Sequence, residues 1–156
     1  NSCRSVYFDL RGNPGGSDQA VIDFASAFIP NKEIVTKCRH LRDNVEKIFY
    51  SNTSVPLSVE RIYVIIDSDT ISSAELFTLA LVDQLGAIPV GSTSYGKGYG
   101  MTQRILKSGG GYALISHDWY SPKGTSISGV GIVPDILIDN VSEKSINEII
   151  KIVNSD

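Results

Sequence analysis

Ile62-Tyr63-Val64-Ile65-Ile66-Asp67-Ser68-Asp69-Thr70-Ile71-Ser72-Ser73-Ala74-Glu75-Leu76-Phe77 contains the junction on which the fold turns. Ile62 to Ile66 is a continuous β-branched and aromatic run, which reads as a strand buried on both faces. Asp67 to Thr70 ends it as a polar turn. From Ser72 the period becomes helical: Leu76, Leu79, Ala80 and Gln84 trace one side, Phe77, Leu81 and Val82 widen it, and Gly86 supplies a stop. Ser72 and Ser73 therefore stand at a helix N-terminus. Unsatisfied N–H groups and the positive end of the macrodipole favour negative charge there, whether a developing alkoxide or a substrate oxyanion.

Toward the C-terminus, a second apolar strand over Ala87 to Val90 leads into Gly91-Ser92-Thr93-Ser94-Tyr95-Gly96-Lys97-Gly98-Tyr99-Gly100. A lysine set among glycines and tyrosines can be brought against other backbone and kept from water. Serine is a poor nucleophile without a nearby base, and a neutral lysine amine can serve. Free lysine titrates at about 10.4, so that role requires desolvation or a neighbouring cation. Taken alone, Gly-Lys-Gly reads more simply as a solvated loop. Toward the N-terminus, a strand over Val6 to Leu10 runs into Asp9-Leu10-Arg11-Gly12-Asn13-Pro14-Gly15-Gly16, a turn that lets bare backbone approach a ligand.

These pieces together resemble the catalytic core of the C-terminal processing (tail-specific) serine peptidases. In that family a glutamate, an aspartate and a Gly-Lys-Gly lysine follow the nucleophilic serine by three, eleven and twenty-five residues. Glu75, Asp83 and Lys97 stand at those offsets from Ser72. Asp9 to Gly16 matches the family's Asp-x-Arg-x-Asn-x-Gly-Gly element, and Gly129 to Asp135 is similar to its Gly-Val-Gly-Ile-x-Pro-Asp segment. The resemblance covers roughly residues 8–136 and implies an α/β fold of crotonase-like (Clp-protease-like) type, a spiral of β-β-α units. It implies a serine endopeptidase that hydrolyses polypeptides near their C-termini through a Ser72-Lys97 dyad, with the N–H groups of Gly16 and Ser73 as oxyanion donors, each worth about 2.7 to 4 kcal/mol. No metal and no organic cofactor is called for, and the location implied is extracytoplasmic, a bacterial periplasm or cell surface.

Other roles stay open. Glu75 falls three residues after Ser72, so a capping-box partner is the stronger reading for it. Asp83 lies three helical turns along, about 16 Å from Ser72 by helix rise, and can act only by positioning something else, such as the lysine loop. Met101 stands where the family has a glutamine, which shifts that supporting role to Gln103 or removes it. Asp67 replaces a usual asparagine, and Ile71, Ser73 and Ala74 replace Ala, Ala and Ser around the nucleophile. A Ser72-His117-Asp118 triad is a rival, weakened because adjacent residues on a strand point to opposite faces. His40 reads as a surface histidine in a polar turn. Two readings compete with proteolysis: a non-catalytic peptide-binding module on the same scaffold, and an acyl-thioester enzyme, disfavoured because that chemistry needs no nucleophile and base.

In the remaining chain, a helix spans Ser17 or Asp18 to Phe28, with Pro30 closing it. The region 31–60 is a variable stretch with a hairpin of Ile34 to Cys38 and Val45 to Tyr50. Met101 to Leu106 and Tyr112 to Ser116 form a second hairpin, and an amphipathic helix covers 142–154, capped by Ser142 or Ser145. With 156 residues, the chain fits a single domain with a sizeable core, and 42% hydrophobic content is that of an ordinary globule. A net charge of −3 with no basic stripe argues against nucleic acid. No apolar run approaches the roughly 20 residues of a membrane span. Cys3 and Cys38 allow one bridge or none. The abrupt start before a strand reads as a fragment of a longer protein, one peptidase core over 1–156 without a preceding PDZ domain.

Overall fold

A computed structural model of the chain describes residues 3–155, arranged as a mixed α/β fold with two four-stranded sheets. The first sheet is parallel, in the order β1 (Cys3–Asp9), β4 (Val59–Ile66), β5 (Ile88–Gly91), β8 (Ile136–Leu137). The second is antiparallel, in the order β3 (Glu46–Tyr50), β2 (Ile34–His40), β7 (Gly111–Tyr120), β6 (Tyr99–Ile105).

The apolar run of β4 divides its side chains between two cores, as a strand covered on both sides must. Ile62, Val64 and Ile66 face a core shared with α1 (Asp18–Ser26) and α2 (Ser73–Leu85), where the rings of Phe8, Phe24, Phe28 and Phe77 pack edge-on and stacked. Tyr63 and Ile65 face the opposite core, closed by Val141, Ile149 and Val153. Helix α2 lies between the sheets: every residue from Ser73 to Leu81 is buried, and Leu76 reaches Cys38 and Trp119 of the antiparallel sheet. A helix apolar around its circumference is the pattern of an element enclosed on all sides. It ends at Gly86 in the left-handed conformation.

Several expectations are corrected in detail. Helix α1 stops at Ser26 because the N–H groups of Ala27 and Phe28 bond three residues back, a tightening common at helix ends. β7 runs on through His117, Asp118, Trp119 and Tyr120, because β2 pairs with it from Lys37 to His40. His40 is consequently a strand residue opposite His117 rather than part of a turn. The C-terminal helix is split into a 3-10 turn (Val141–Glu143) and α3 (Ile146–Val153), with Ser145 and Glu148 closing a capping box. Ser142 is no cap: its hydroxyl donates to Asp67 Oδ2 at 2.9 Å. Cys38 is a free, buried thiol whose pKa is pushed up by burial. No helix of the described residues is long and apolar enough to cross a membrane.

Candidate active site

The turn between β4 and α2 is held by Asp67. Its buried carboxylate accepts from the N–H groups of Gly12 and Asp69 and from the hydroxyls of Thr70 and Ser142. The backbone then reverses at Ser72, with φ 59 and ψ −121. A non-glycine residue in that region costs about 1–3 kcal/mol and persists only where its surroundings enforce it. A sharp strand-to-helix reversal of this kind presents a serine hydroxyl at the top of a sheet.

The enforcement comes from Glu75. Its fully buried carboxylate has four neutral donors: Oε2 accepts from Ser72 N–H at 2.8 Å and Lys97 N–H at 2.9 Å, Oε1 from the Ser94 hydroxyl at 2.6 Å and Gly96 N–H at 2.7 Å. The Ser72 and Lys97 amides share one oxygen, so their nitrogens lie no farther apart than those two distances laid end to end. The capping-box bond expected of Glu75 is present. The same carboxylate also fastens the lysine loop, a link that no local pattern of residues announces.

The loop itself is sewn to the Gly-Val-Gly segment and to β7. Ser94 N–H donates to the Ile132 carbonyl, Ile132 N–H to Ser94 Oγ, Gly129 N–H to the Gly96 carbonyl and Trp119 N–H to the Gly98 carbonyl. Gly96 has φ +88, and a Cβ there would meet Gly131 N at 2.7 Å, so glycine is required. Lys97 is half-buried, its Nζ 5.8 Å from the centre of the Tyr99 ring. Asp18, at the start of α1, lies within electrostatic reach of both Lys97 and His117; burial raises its pKa, and its attraction to His117 and Lys97 partly offsets the rise.

The first glycine turn closes the site from the other side. Ile71 N–H donates to the Asn13 carbonyl at 2.9 Å. Gly15, with φ +84, lies so close that a Cβ would meet Ile71 O at 2.6 Å and Ser73 N at 2.9 Å. Gly16 is exposed, and its N–H donates to Ser73 Oγ at 2.7 Å instead of pointing at open space. A cleft of about 370 Å³, lined in part by Leu10, Val21, Phe24 and Phe77, opens beside Gly16 and Ser73.

Ser72, Ser73, Glu75, Lys97 and Gly16 are thus brought together. Asp83 and Gln103 are not. Asp83 Oδ2 accepts from the Ser121 hydroxyl and from Lys123 N–H at 2.8 Å, so it anchors the turn after β7 and not the lysine loop. Gln103 is exposed on β6, opposite Ala113. His117 stacks edge-on to Trp119 at 5.1 Å, and its Nδ1 lies 3.0 Å from Ser116 Oγ; Asp118, one residue on, pairs with Tyr99 and Arg39. Ser94 was missed as the link between Glu75 and Ile132, since a serine among Gly, Thr and Tyr carries no signal of its own.

The fold and site define a mixed α/β scaffold that sets a strained serine against a lysine loop across one buried carboxylate. A family model described as Peptidase family S41 matches residues 1–138, and the chain belongs to that family. It is 34% identical over 147 residues to a probable CtpA-like serine protease of Staphylococcus aureus (strain N315), covering 94% of this chain and 29% of that protein. The chain thus spans under a third of the length of this relative. Among solved structures, a photosystem II D1 C-terminal processing protease aligns with TM-score 0.76 at 24% identity, over 86% of this chain and 34% of that one. A putative S41 protease from Bacteroides fragilis gives 0.81 at 17%, over 97% and 45%. A lipoprotein from Streptococcus agalactiae gives 0.78 at 19%, over 99% and 56%. At these identities the structural likenesses speak for the fold.

Proposed function

We infer that the chain carries the core of a serine endopeptidase working through Ser72 and Lys97. The observation that carries this reading is the Glu75 carboxylate, which holds the amides of both residues on one oxygen while the backbone is strained at Ser72. Lys97 Nζ takes the Ser72 hydroxyl proton as Oγ attacks the scissile carbonyl. The carbonyl electrons move onto oxygen, and the N–H groups of Ser73 and Gly16 donate hydrogen bonds to the oxyanion so formed. The C–N bond then breaks, Lys97 returns the proton to the leaving amine, and water hydrolyses the ester by the same route. No step calls for a metal or an organic cofactor. His117 is a poorer base candidate, because its ring packs against Gly100 and Trp119 and Asp118 cannot orient it.

The apolar cleft beside Gly16 suits an apolar side chain next to the scissile bond. Cleavage near a polypeptide's C-terminus is supported by the fold shared with the D1 C-terminal processing protease, and a place outside the cytoplasm by the fold shared with the lipoprotein. The parallel sheet, the enclosed α2 and the second sheet support the crotonase-like spiral that the resemblance implies. The test is labelling with a fluorophosphonate probe. Ser72 in the natural protein is expected to be labelled, and Ser72→Ala and Lys97→Ala to lose labelling. Equal labelling of all three would overturn the dyad, and no labelling with retained peptide binding would make the domain a non-catalytic binding module. Peptides carrying one cleavage sequence at increasing distance from the carboxyl end would measure the C-terminal preference.

A further inference from the structure

The Ser73 side chain has no part in the chemistry above, yet it occupies one of the two groups that chemistry needs. Its Oγ accepts from Gly16 N–H at 2.7 Å and donates to the Gly16 carbonyl at 3.0 Å, so both polar groups of Gly16 close on one hydroxyl. Ser73 is only 1% exposed, and it is followed by buried residues throughout the first two turns of α2. Gly15 packs without room for a Cβ against Ile71 and Ser73, which fixes where the Gly16 amide can lie. The Ser73 amide itself, at the first position of α2, has no acceptor among the described residues.

We propose that the Ser73 hydroxyl is a latch on the oxyanion site, occupying the Gly16 amide at rest and yielding it only to a developing negative charge. This rests on the peptidase reading. A neutral carbonyl oxygen and a hydroxyl oxygen are comparable acceptors, so a bound ground-state substrate gains little by displacing Ser73. A charged oxygen makes hydrogen bonds about twice as strong and displaces it. Rotation of the Ser73 side chain releases the amide without moving the backbone, because the hydroxyl is held by Gly16 alone among the described residues. The chemical consequence is a site of weak resting reactivity that depends on good substrate positioning.

The experiment compares the natural protein with Ser73→Ala, which keeps the backbone amide of that position and removes the hydroxyl. The variant is expected to gain about two- to tenfold in kcat/KM, the range one net hydrogen bond supplies. A peptide boronate, which mimics the charged tetrahedral state, should bind tighter by a similar factor. A peptide with a methylene in place of the reacting carbonyl should bind both proteins equally, a distinction that a merely structural role for Ser73 would not produce. A labelled Ser72 together with unchanged or lower kcat/KM and boronate affinity would overturn the latch. Independently of turnover, the Gly16 amide of the Ser72→Ala protein should exchange with solvent at least about tenfold more slowly than that of the double variant that also carries Ser73→Ala; equal exchange overturns the latch. Failure to label Ser72 in both the natural protein and Ser73→Ala would instead overturn the peptidase reading, and the Gly16 exchange still decides the contact.

Discussion

The two loops that meet at Ser72 are fastened by opposite means. The lysine loop is bound on one side by the Glu75 carboxylate, through bonds that are buried or partly buried, and on the other by backbone bonds to Ile132 and Gly129. The glycine turn is tied firmly at its stem, through Asp67 to Gly12 and through Arg11 to the C-terminal segment, but its tip at Gly16 is held by one hydroxyl. Under the proposed dyad, the rigid wall is the side that would take the Ser72 proton, and the adjustable wall is the side where negative charge would develop during reaction.

Breaking the rigid wall gives the largest expected effect. Glu75→Ala would leave three backbone amides and the Ser94 hydroxyl without their acceptor in a buried place, and would release the strain at Ser72. A loss of about 4 kcal/mol is expected from urea unfolding, with labelling of Ser72 abolished even where the variant is folded. Glu75→Gln should recover only part of this, because its amide would set a donor against one pair of donors. Stability within about 1 kcal/mol of the natural protein would show that the loop is held by the Gly129 and Ile132 contacts instead.

The stem of the glycine turn comes next. Arg11 makes a two-pronged pair with Asp9, at 2.8 and 2.6 Å, and its Nη1 donates to the carbonyls of Val141 and Lys144, each at 2.7 Å. Arg11→Ala is expected to cost about 3 kcal/mol, since both of those carbonyls belong to the turn that seats α3. Arg11→Lys would restore less than half, because an ammonium cannot reproduce the fork. Hydrogen exchange should show faster opening over Ile146–Val153 well before it does in β4; protection of α3 unchanged in Arg11→Ala would mean that Ile149 and Val153 alone seat it.

The contrast between the loops also marks what could be read from residues in a row. β4, α2 and the strand after it were legible because an uninterrupted apolar run and a helical period are local signals, and the offsets from Ser72 marked Glu75 and Lys97. What Glu75 does was half legible: its bond to the Ser72 amide lies within one helical turn, whereas its bonds to Ser94, Gly96 and Lys97 depend on a loop some twenty residues away. Asp83 could act only by positioning something else, such as the lysine loop, and the fold gives it to Ser121 and Lys123 in the turn after β7, a partner distant in sequence. The strand expected to end at Ser116 runs on to Tyr120, because its last residues pair with β2, a partner invisible from β7 alone.

The tip and its neighbour can be separated by one methyl group. At Gly15 an alanine would combine a φ of +84 with contacts of 2.6 Å to Ile71 O and 2.9 Å to Ser73 N, while at Gly16 a Cβ meets nothing within 4 Å. Gly15→Ala should cost about 2 kcal/mol and slow Ser72 labelling, and Gly16→Ala should leave the unfolding midpoint nearly in place, within about 0.5 kcal/mol. Equal costs at both positions would mean that the tip is as constrained as the stem, and the contrast between the two walls would fail.

The smallest effect distinguishes the walls by pH. On the stem, the Arg11 hydrogen bonds hold the Asp9 carboxyl below its ordinary value of 3.8. Asp9 therefore contributes stability that is present above 3.8 and is lost as pH falls through its lowered folded value. Beside Lys97, burial raises Asp18 above the same ordinary value, against the opposing pull of His117 and Lys97. The folded state then binds more protons there than the unfolded one, so the Asp18 contribution is fully present below 3.8 and declines as pH rises through the raised folded value. His117 adds a step of its own: burial lowers it from 6.5, so its contribution is present above 6.5 and is lost as pH falls toward the lowered value. Asp18→Asn should remove the decline above 3.8 and, by deleting the charge that raises His117, move the histidine step to lower pH. Urea midpoints of the two proteins taken across this range should converge at low pH and separate above 3.8, with the variant the more stable. Parallel curves would place Asp18 in water, out of reach of the lysine wall.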